Sequence, residues 1–318
     1  MKSVAALLGL VVAIGLGSNA ARAEFPTRPI KLIVPFSAGG SADITARILA
    51  PRLMALLGQS VIIDNRAGGS GIVATQAVHM AEPDGYTLLM VSPSHTANLV
   101  IHDKLPYDTL KDFVQVSMLA DVPGVLVINS ALPVSTLPEL LNYAKSHRVS
   151  YGSAGFGTFP HLGMEELASR AGVPMLHVAY KGAAPAMNDL LAGHVDAKLD
   201  GYVTSIEHMK AGKLRAVAVT SAERLSELPD TPTVTELGFP GFETSFWMGV
   251  AAPAGTPAPI LAKLQQAFIA AFDKPTRERL SGLGVHVIAK PGDVLDTLVR
   301  REIAQWSELA KRQAFVKQ

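Results

Sequence analysis

The chain has 318 residues, 28 Lys and Arg against 27 Asp and Glu, a net charge of +1, no cysteine, and 48% hydrophobic side chains. A near-neutral charge with no long basic run argues against a nucleic-acid or membrane-surface partner. The missing cysteines exclude disulfides, a thiolate nucleophile and Cys-ligated metal, and the length is enough for two lobes with cores of their own.

The first 23 residues carry Lys2, an apolar stretch over 4–16 and the A-x-A tripeptide Ala21-Arg22-Ala23. This reads as a secretory signal peptide cleaved before Glu24, so the expected location is the periplasm. An uncleaved anchor normally needs about 20 apolar residues, and no cysteine stands at the cleavage point for a lipid. Cleavage removes Lys2 and Arg22 and no acid, so the mature chain stays near neutral.

Residues 30–57, IKLIVPFSAGGSADITARILAPRLMALL, organise the rest of the chain. The apolar run 30–34 reads as a strand buried on both faces. After Pro35 come Phe36, Ser37, Ala38, Gly39 and Gly40, mostly small residues that let backbone approach a ligand. A helix with apolar positions 44, 48, 49, 53, 56 and 57 comes next, with Ser41 expected as its N-cap and Asp43 in its first turn. Pro51 predicts a kink or break near Ala50. Strand, glycine loop and helix N-terminus together form an anion site or a plain βα connection.

A second strand is predicted over 61–64, then a loop rich in glycine over 65–71 and a helical run over 72–80. A third strand over 86–91 ends in a polar loop, 92–96, containing Ser92 and His95. The βαβαβ order implies a parallel sheet. Two strands, 113–118 and 125–128, are expected to flank a loop at 121–124. Residues 136–146 are amphipathic. A short strand at 149–152 leads into Ser153, Ala154, Gly155, Phe156, Gly157 and Thr158, then a helix from His161. Further strands are expected at 175–178, 195–199 and 214–220, with helices at 184–192 and 203–211. The C-terminal part reads as an apolar stretch at 246–251, helices at 258–272 and 275–283, a strand at 285–288 and a last helix over 295–315.

The loop at 153–158 repeats the pattern of the loop at 36–40. Two such loops facing each other across a cleft can hold a carboxylate or phosphate with backbone N–H groups and no arginine; the other reading is glycines that serve only the turn. Neither loop matches a dinucleotide or P-loop fingerprint, and no nucleophile elbow occurs. His161 and Glu165 at i, i+4 are too few to hold a metal. His161 reads as a ligand donor at a helix start or as a packed residue, and His95 is equally open. Asp200 and Tyr202, after a strand, read as cleft lining or as turn and capping groups. Trp247 reads as core.

The blocks VPFSAGGSAD (34–43), LGQSVIIDNR (57–66), PDGYTLL (83–89), LPYDTLKDF (105–113), YGSAGFGTFPHL (151–162), YKGAAPA (180–186), GKLRAVAVT (212–220), LPDTPTVTELGFPGFE (228–243) and APAGTP (252–257) run in order along almost the whole mature chain. Together they resemble the extracytoplasmic solute receptors of the tripartite tricarboxylate transporter family, the Bug receptors. The resemblance implies an α/β, two-lobed periplasmic binding protein of the Venus flytrap, type II-like kind, with two doubly wound sheets joined by a two-crossover hinge. It implies a carboxylate gripped, partly through water, by Phe36 to Gly40 with Asp43 and by Ser153 to Thr158 with His161. The distal part of the ligand would meet the 92–96 loop and the Asp200 to Tyr202 region. The chain departs from the family at Ala67, Leu99 and Pro51.

The expected organisation is a leader at 1–23, a first lobe of 24–124 and 246–318, and a second lobe of 125–245. The expected function is a monomeric, non-catalytic receptor with no metal and no cofactor. It binds a di- or tricarboxylate, an amino acid or an aromatic acid and hands it to the membrane permease subunits. The alternatives are a sensor that docks a signalling partner and a hydrolase built on Ser153 with His161, which lacks a recognisable ordering acid.

Overall fold

The computed structural model describes residues 24–312, so the leader reading at 1–23 lies outside the described residues. The chain opens with β1 (Ile30–Val34), α1 (Ser41–Leu57), β2 (Val61–Asn65), α2 (Ile72–His79), β3 (Thr87–Val91), α3 (Pro93–Ile101) and the long β4 (Phe113–Asn129). It continues with α4 (Leu137–Tyr143), β5 (Ser150–Ser153), α5 (Phe159–Ala171), β6 (Leu176–Ala179), α6 (Ala183–Ala192), β7 (Ala197–Gly201), α7 (Tyr202–Lys210) and β8 (Leu214–Val219). It closes with β9 (Ser245–Pro253), α8 (Ala258–Ala270), α9 (Lys274–Ser281), β10 (His286–Pro291) and α10 (Gly292–Arg312).

Two lobes share one strand. In the first, β2, β1 and β3 are parallel, and β9, β4 and β10 extend the sheet antiparallel. In the second, β7, β5 and β6 are parallel, and β4 and β8 are joined antiparallel. β1 is buried on both faces as its apolar run predicts. Ile30, Leu32 and Val34 pack with Leu49 and Leu53 of α1 and with Leu264 and Phe268 of α8. Ile33 packs on the other side with Ala74 and Val78 of α2 and Leu295 of α10. Each such side chain contributes about 1.5–3 kcal/mol when fully buried. The second lobe has matching cores on its two faces, around Leu126 and Tyr151 and around Val127 and Leu190.

The structure corrects four expectations. The two strands at 113–118 and 125–128 are one strand, and residues 121–124 are not a loop. Pro123 pairs with Ser245 of β9 and Gly124 with Gly201 of β7, so β4 exchanges partners there. A residue without an N–H is tolerated where a ladder changes hands. α1 runs unbroken through Pro51, whose ring lies on the exposed face. Its N-cap is Gly40, and Ser41 is already the first helical residue. The 92–96 segment is not a loop: Ser92 is the N-cap of α3 and Pro93 its first residue, which suits proline because that N–H has no helical partner.

Candidate functional site

The loop from β1 to α1 is held from within. Asp43 accepts the Gly39 N–H at 2.9 Å and the Arg47 Nε–H at 2.9 and 3.0 Å. Burial pushes its carboxyl up, but the bonds from Arg47, Gly39 and Asn65 outweigh that, so it sits below the usual carboxylate range. Asn65 at the end of β2 donates to the Phe36 carbonyl at 3.1 Å. Asp43 therefore shapes the loop with its carboxylate and is committed to protein donors. Ser37 is half-buried with its Oγ unpartnered, while Ala38 and Gly39 are exposed.

The loop from β5 to α5 is braced by a buried network. Ser153 Oγ accepts the Gly155 N–H at 3.1 Å, bonds the Gly155 carbonyl at 3.1 Å and lies 2.6 Å from His177 Nε2. Thr158 donates its hydroxyl to the Gly155 carbonyl at 2.6 Å. The Gly157 N–H donates to His161 Nδ1 at 3.0 Å, so His161 is neutral with its proton on Nε2. Burial lowers the His161 pKa to about 4. Burial, followed by the neighbouring His161, does the same to His177. The hydroxyls of Ser153 and Thr158 hold the loop in shape and leave its outer backbone to face the cleft. Serine pairs with His177, a residue the sequence reading missed, and not with His161. His177 Nδ1 is buried with no partner, so no acid orients that imidazole.

Across the lobes these loops meet around a small gap of about 40 Å³. Phe36, Gly40, Ser41 and Ala42 line it from the first lobe; Ala154, Thr158, Phe159 and Pro160, with Ala183, Asp200 and Gly201, line it from the second, and Phe246 of β9 completes it. Four helices, α1, α5, α6 and α7, thus aim their N-termini at one gap. None of the four has a side-chain cap, whereas α4 is capped by Thr136 and α9 by Asp273. The first N–H groups of a helix have no internal carbonyl to meet. Each N-terminus carries roughly half a positive charge. No lysine or arginine lines the gap. Its one carboxylate, Asp200, is ion-paired with Lys198 and accepts Thr204 Oγ1–H at 2.5 Å and Ser205 Oγ–H at 2.9 Å.

Of the remaining expected site residues, Asp200 lines the gap and Ser92, His95 and Tyr202 do not. Asp200 is inside β7, not after it. Tyr202 is buried at the start of α7 and turns its ring toward Gly284, away from the gap. Ser92 is buried and bonds Ser94 Oγ at 3.1 Å. His95 is 4% exposed, stacked near Tyr107 at 6.4 Å and edge-on to Phe113 at 5.4 Å, with neither ring nitrogen partnered. It is a core residue, with a pKa lowered by burial to about 4. Sequence reasoning missed Ala183 and Phe246, and took in Gly201 only within the Asp200 to Tyr202 region. A signal existed for the first: Gly182 followed by alanines repeats the small-residue entry into a helix.

His95, His161 and His177 make stability depend on pH. Their folded pKa values lie below the ordinary imidazole value of about 6.5. Between about 6.5 and about 4 the unfolded chain takes up protons that the folded chain refuses, so stability falls as pH drops through that window. The melting temperature should decline from pH 7 to pH 4, and His95→Leu should flatten the decline. An unchanged slope in that variant would show that His95 is not part of it.

The sequence matches the family described as the tripartite tricarboxylate transporter family receptor, TctC, over residues 45–315. The chain belongs to this family. Among solved structures, the periplasmic binding protein BugD is 35% identical, with a TM-score of 0.89 over 92% of this chain and 100% of its own. Rpa4515 of R. palustris, solved with adipate, is 36% identical, with a TM-score of 0.87 over 91% and 98%. MatC (Rpa3494) from Rhodopseudomonas palustris, solved with bound malate, is 35% identical, with a TM-score of 0.86 over 89% and 99%. In this TctC receptor the lobes touch along the cleft. A Cβ added at Gly155 would meet Ser70 Oγ at 2.8 Å, and one added at Gly157 would meet Asn98 Oδ1 at 3.4 Å.

Proposed function

We propose that this chain is a periplasmic solute receptor that closes on a small carboxylate and delivers it to a transporter permease. The observation that carries the reading is the convergence of four uncapped helix N-termini on one gap between the lobes, with its only carboxylate neutralised. Adipate and malate in two related structures support the same ligand chemistry. In this reading the lobes are 24–124 with 246–318, and 125–245. They rotate about the two places where the chain passes between sheets, Pro123–Gly124 and Thr244–Ser245. The ligand binds the closed form better and shifts that population. Residues Phe36 to Gly40 and Ser153 to Thr158 supply backbone N–H groups. Asp43, Thr158 and His161 hold those loops, and Asp200 sets the local charge. The leader at 1–23 takes the chain to the periplasm.

Thermal shift across a panel of acids, sugars and cations tests the proposal. A carboxylate at about 100 times its dissociation constant should add about 2.7 kcal/mol of stability. Because backbone donors do not titrate and His161 is neutral, affinity should stay flat from pH 8 to pH 5 for an acid that remains ionised. A panel in which sugars or cations raise the melting point and no carboxylate does would refute the reading.

A further inference from the structure

α5 carries a leucine that neither core of its own lobe takes up. Leu162 is only 6% exposed, and it packs with Ala97 and Ile101 of α3 and with Trp306 of α10, all in the first lobe. We infer, on the receptor reading above, that this apolar contact is a latch between the lobes. It sets how much of the ligand-free protein is closed, and with it the affinity for every ligand alike. Ala97, Ile101, Leu162 and Trp306 are thus positioning residues that touch no ligand.

The burial of these side chains comes from the meeting of the lobes. Ala97 and Ile101 are as buried as Leu162, and neither joins the two cores of the first lobe. They are four residues apart and share one face of α3. The space left among Ala97, Val100, Ile101, Leu162 and Trp306 is about 10 Å³, at the lower limit for one water. Its walls are hydrocarbon apart from the indole N–H of Trp306, so the contact is dry. A dry apolar contact favours whichever arrangement of the lobes buries it, and rotating the lobes apart would return it to water.

The latch is tied to the ligand gap without lining it. The Leu162 N–H donates to the Thr158 carbonyl at 3.0 Å, so Leu162 moves with the first turn of α5, where Thr158, Phe159 and Pro160 line the gap. Gly157 rests on the same isoleucine. A Cβ added there would lie 2.6 Å from Ile101 Cδ1, and its φ of +72° suits glycine. Seating Leu162 therefore brings the N-terminus of α5 and the 153–158 loop to their closed positions together. None of the four latch residues lines the gap and none is charged, so the chemistry of the ligand does not enter. When the latch alone is weakened, every ligand loses affinity by the same factor, because each draws on the same closed population.

Ligand-free protein gives the first test. Leu162→Ala and Ile101→Ala should each enlarge the scattering radius of the free protein. The chain has two tryptophans, and Trp247 is buried within the first lobe, donating to Glu302 Oε1 at 2.6 Å. The emission of the two variants should shift to the red as Trp306 gains water, and Trp306→Phe in the same background should abolish the shift. Titration with malate and with adipate should then show one common loss in both variants, roughly three- to tenfold. The double variant should lose little more than the weaker-binding single one, since both side chains serve one contact. Leu167→Ala, in the second-lobe core on the same helix, is the control. It should lower the melting temperature and leave the radius unchanged and both affinities within twofold. Latch variants with the radius and emission of the parent would overturn the inference, as would losses that differ more than threefold between the two acids. A ligand-free shift with neither acid bound would uphold the latch and count against the carboxylate reading.

Discussion

Gly182→Ala is expected to weaken ligand binding by roughly 10- to 100-fold, the equivalent of about 1–3 kcal/mol of overpacking. Gly182 is the N-cap of α6 in the second lobe and faces Ser37 of the first. An added Cβ would overlap Ser37 Oγ and would lie 3.0 Å from its Cβ and 3.2 Å from its backbone N. The hydroxyl can rotate away; the backbone of the glycine loop cannot move without disturbing the N-terminus of α1. The residue also has φ +147°, where an L side chain is strained in open and closed forms alike. The two effects separate by control. Gly212, at the end of α7, has φ +68° and open space where a Cβ would go. Gly212→Ala should therefore lower the melting temperature and leave affinity unchanged, whereas Gly182→Ala should lower both. Scattering should show the Gly182 variant staying extended at ligand concentrations that compact the parent. Wild-type affinity in Gly182→Ala would mean that the lobes do not meet at Ser37 when ligand is bound.

Lys198→Met should cost about 3–5 kcal/mol of stability, the usual penalty for removing one member of a buried ion pair. The Lys198 side chain is wholly inaccessible and Asp200 only 3% exposed, and the two are ion-paired two residues apart on one face of β7. Without the ammonium, Asp200 keeps only the hydroxyls of Thr204 and Ser205. Its charge would also face the gap that receives the ligand carboxylate, so affinity should fall with stability. Lys198→Met with Asp200→Asn removes both charges and should recover most of the lost stability. Urea denaturation measures this. An unchanged midpoint for Lys198→Met, or a double variant no better than the single, would show that the pair is not coupled.

Where the sequence was readable, the signal was local. The apolar run of β1 announced a strand covered on both faces, and α1 began within one residue of its expected start because glycine and serine end a strand and admit a helix. Pro51 misled because a single proline on an exposed helical face costs one hydrogen bond, and packing of Ala46, Leu49 and Leu53 outweighs it. β4 misled because Pro123 and Gly124 read as a turn in isolation. Only the pairing with Ser245 and Gly201 shows a strand changing partners.

The amino-acid sequence by itself determined the α/β class, the two glycine-loop units and the family resemblance, because each rests on periodicity or on motifs contiguous in the chain. The tertiary structure alone decided which residues share the cleft. His95 turned inward between Tyr107 and Phe113, since a ring at a helix start can face either the core or the cleft and nothing local chooses. Lys198 is wholly inaccessible because tertiary packing covers both faces of β7. Ala183 and Gly201 joined Gly40 and Thr158 because the register of β4 with β7 and β9 draws four helix starts together from distant parts of the chain. That convergence depends on strand pairing over long separations, and no spacing within a single stretch encodes it.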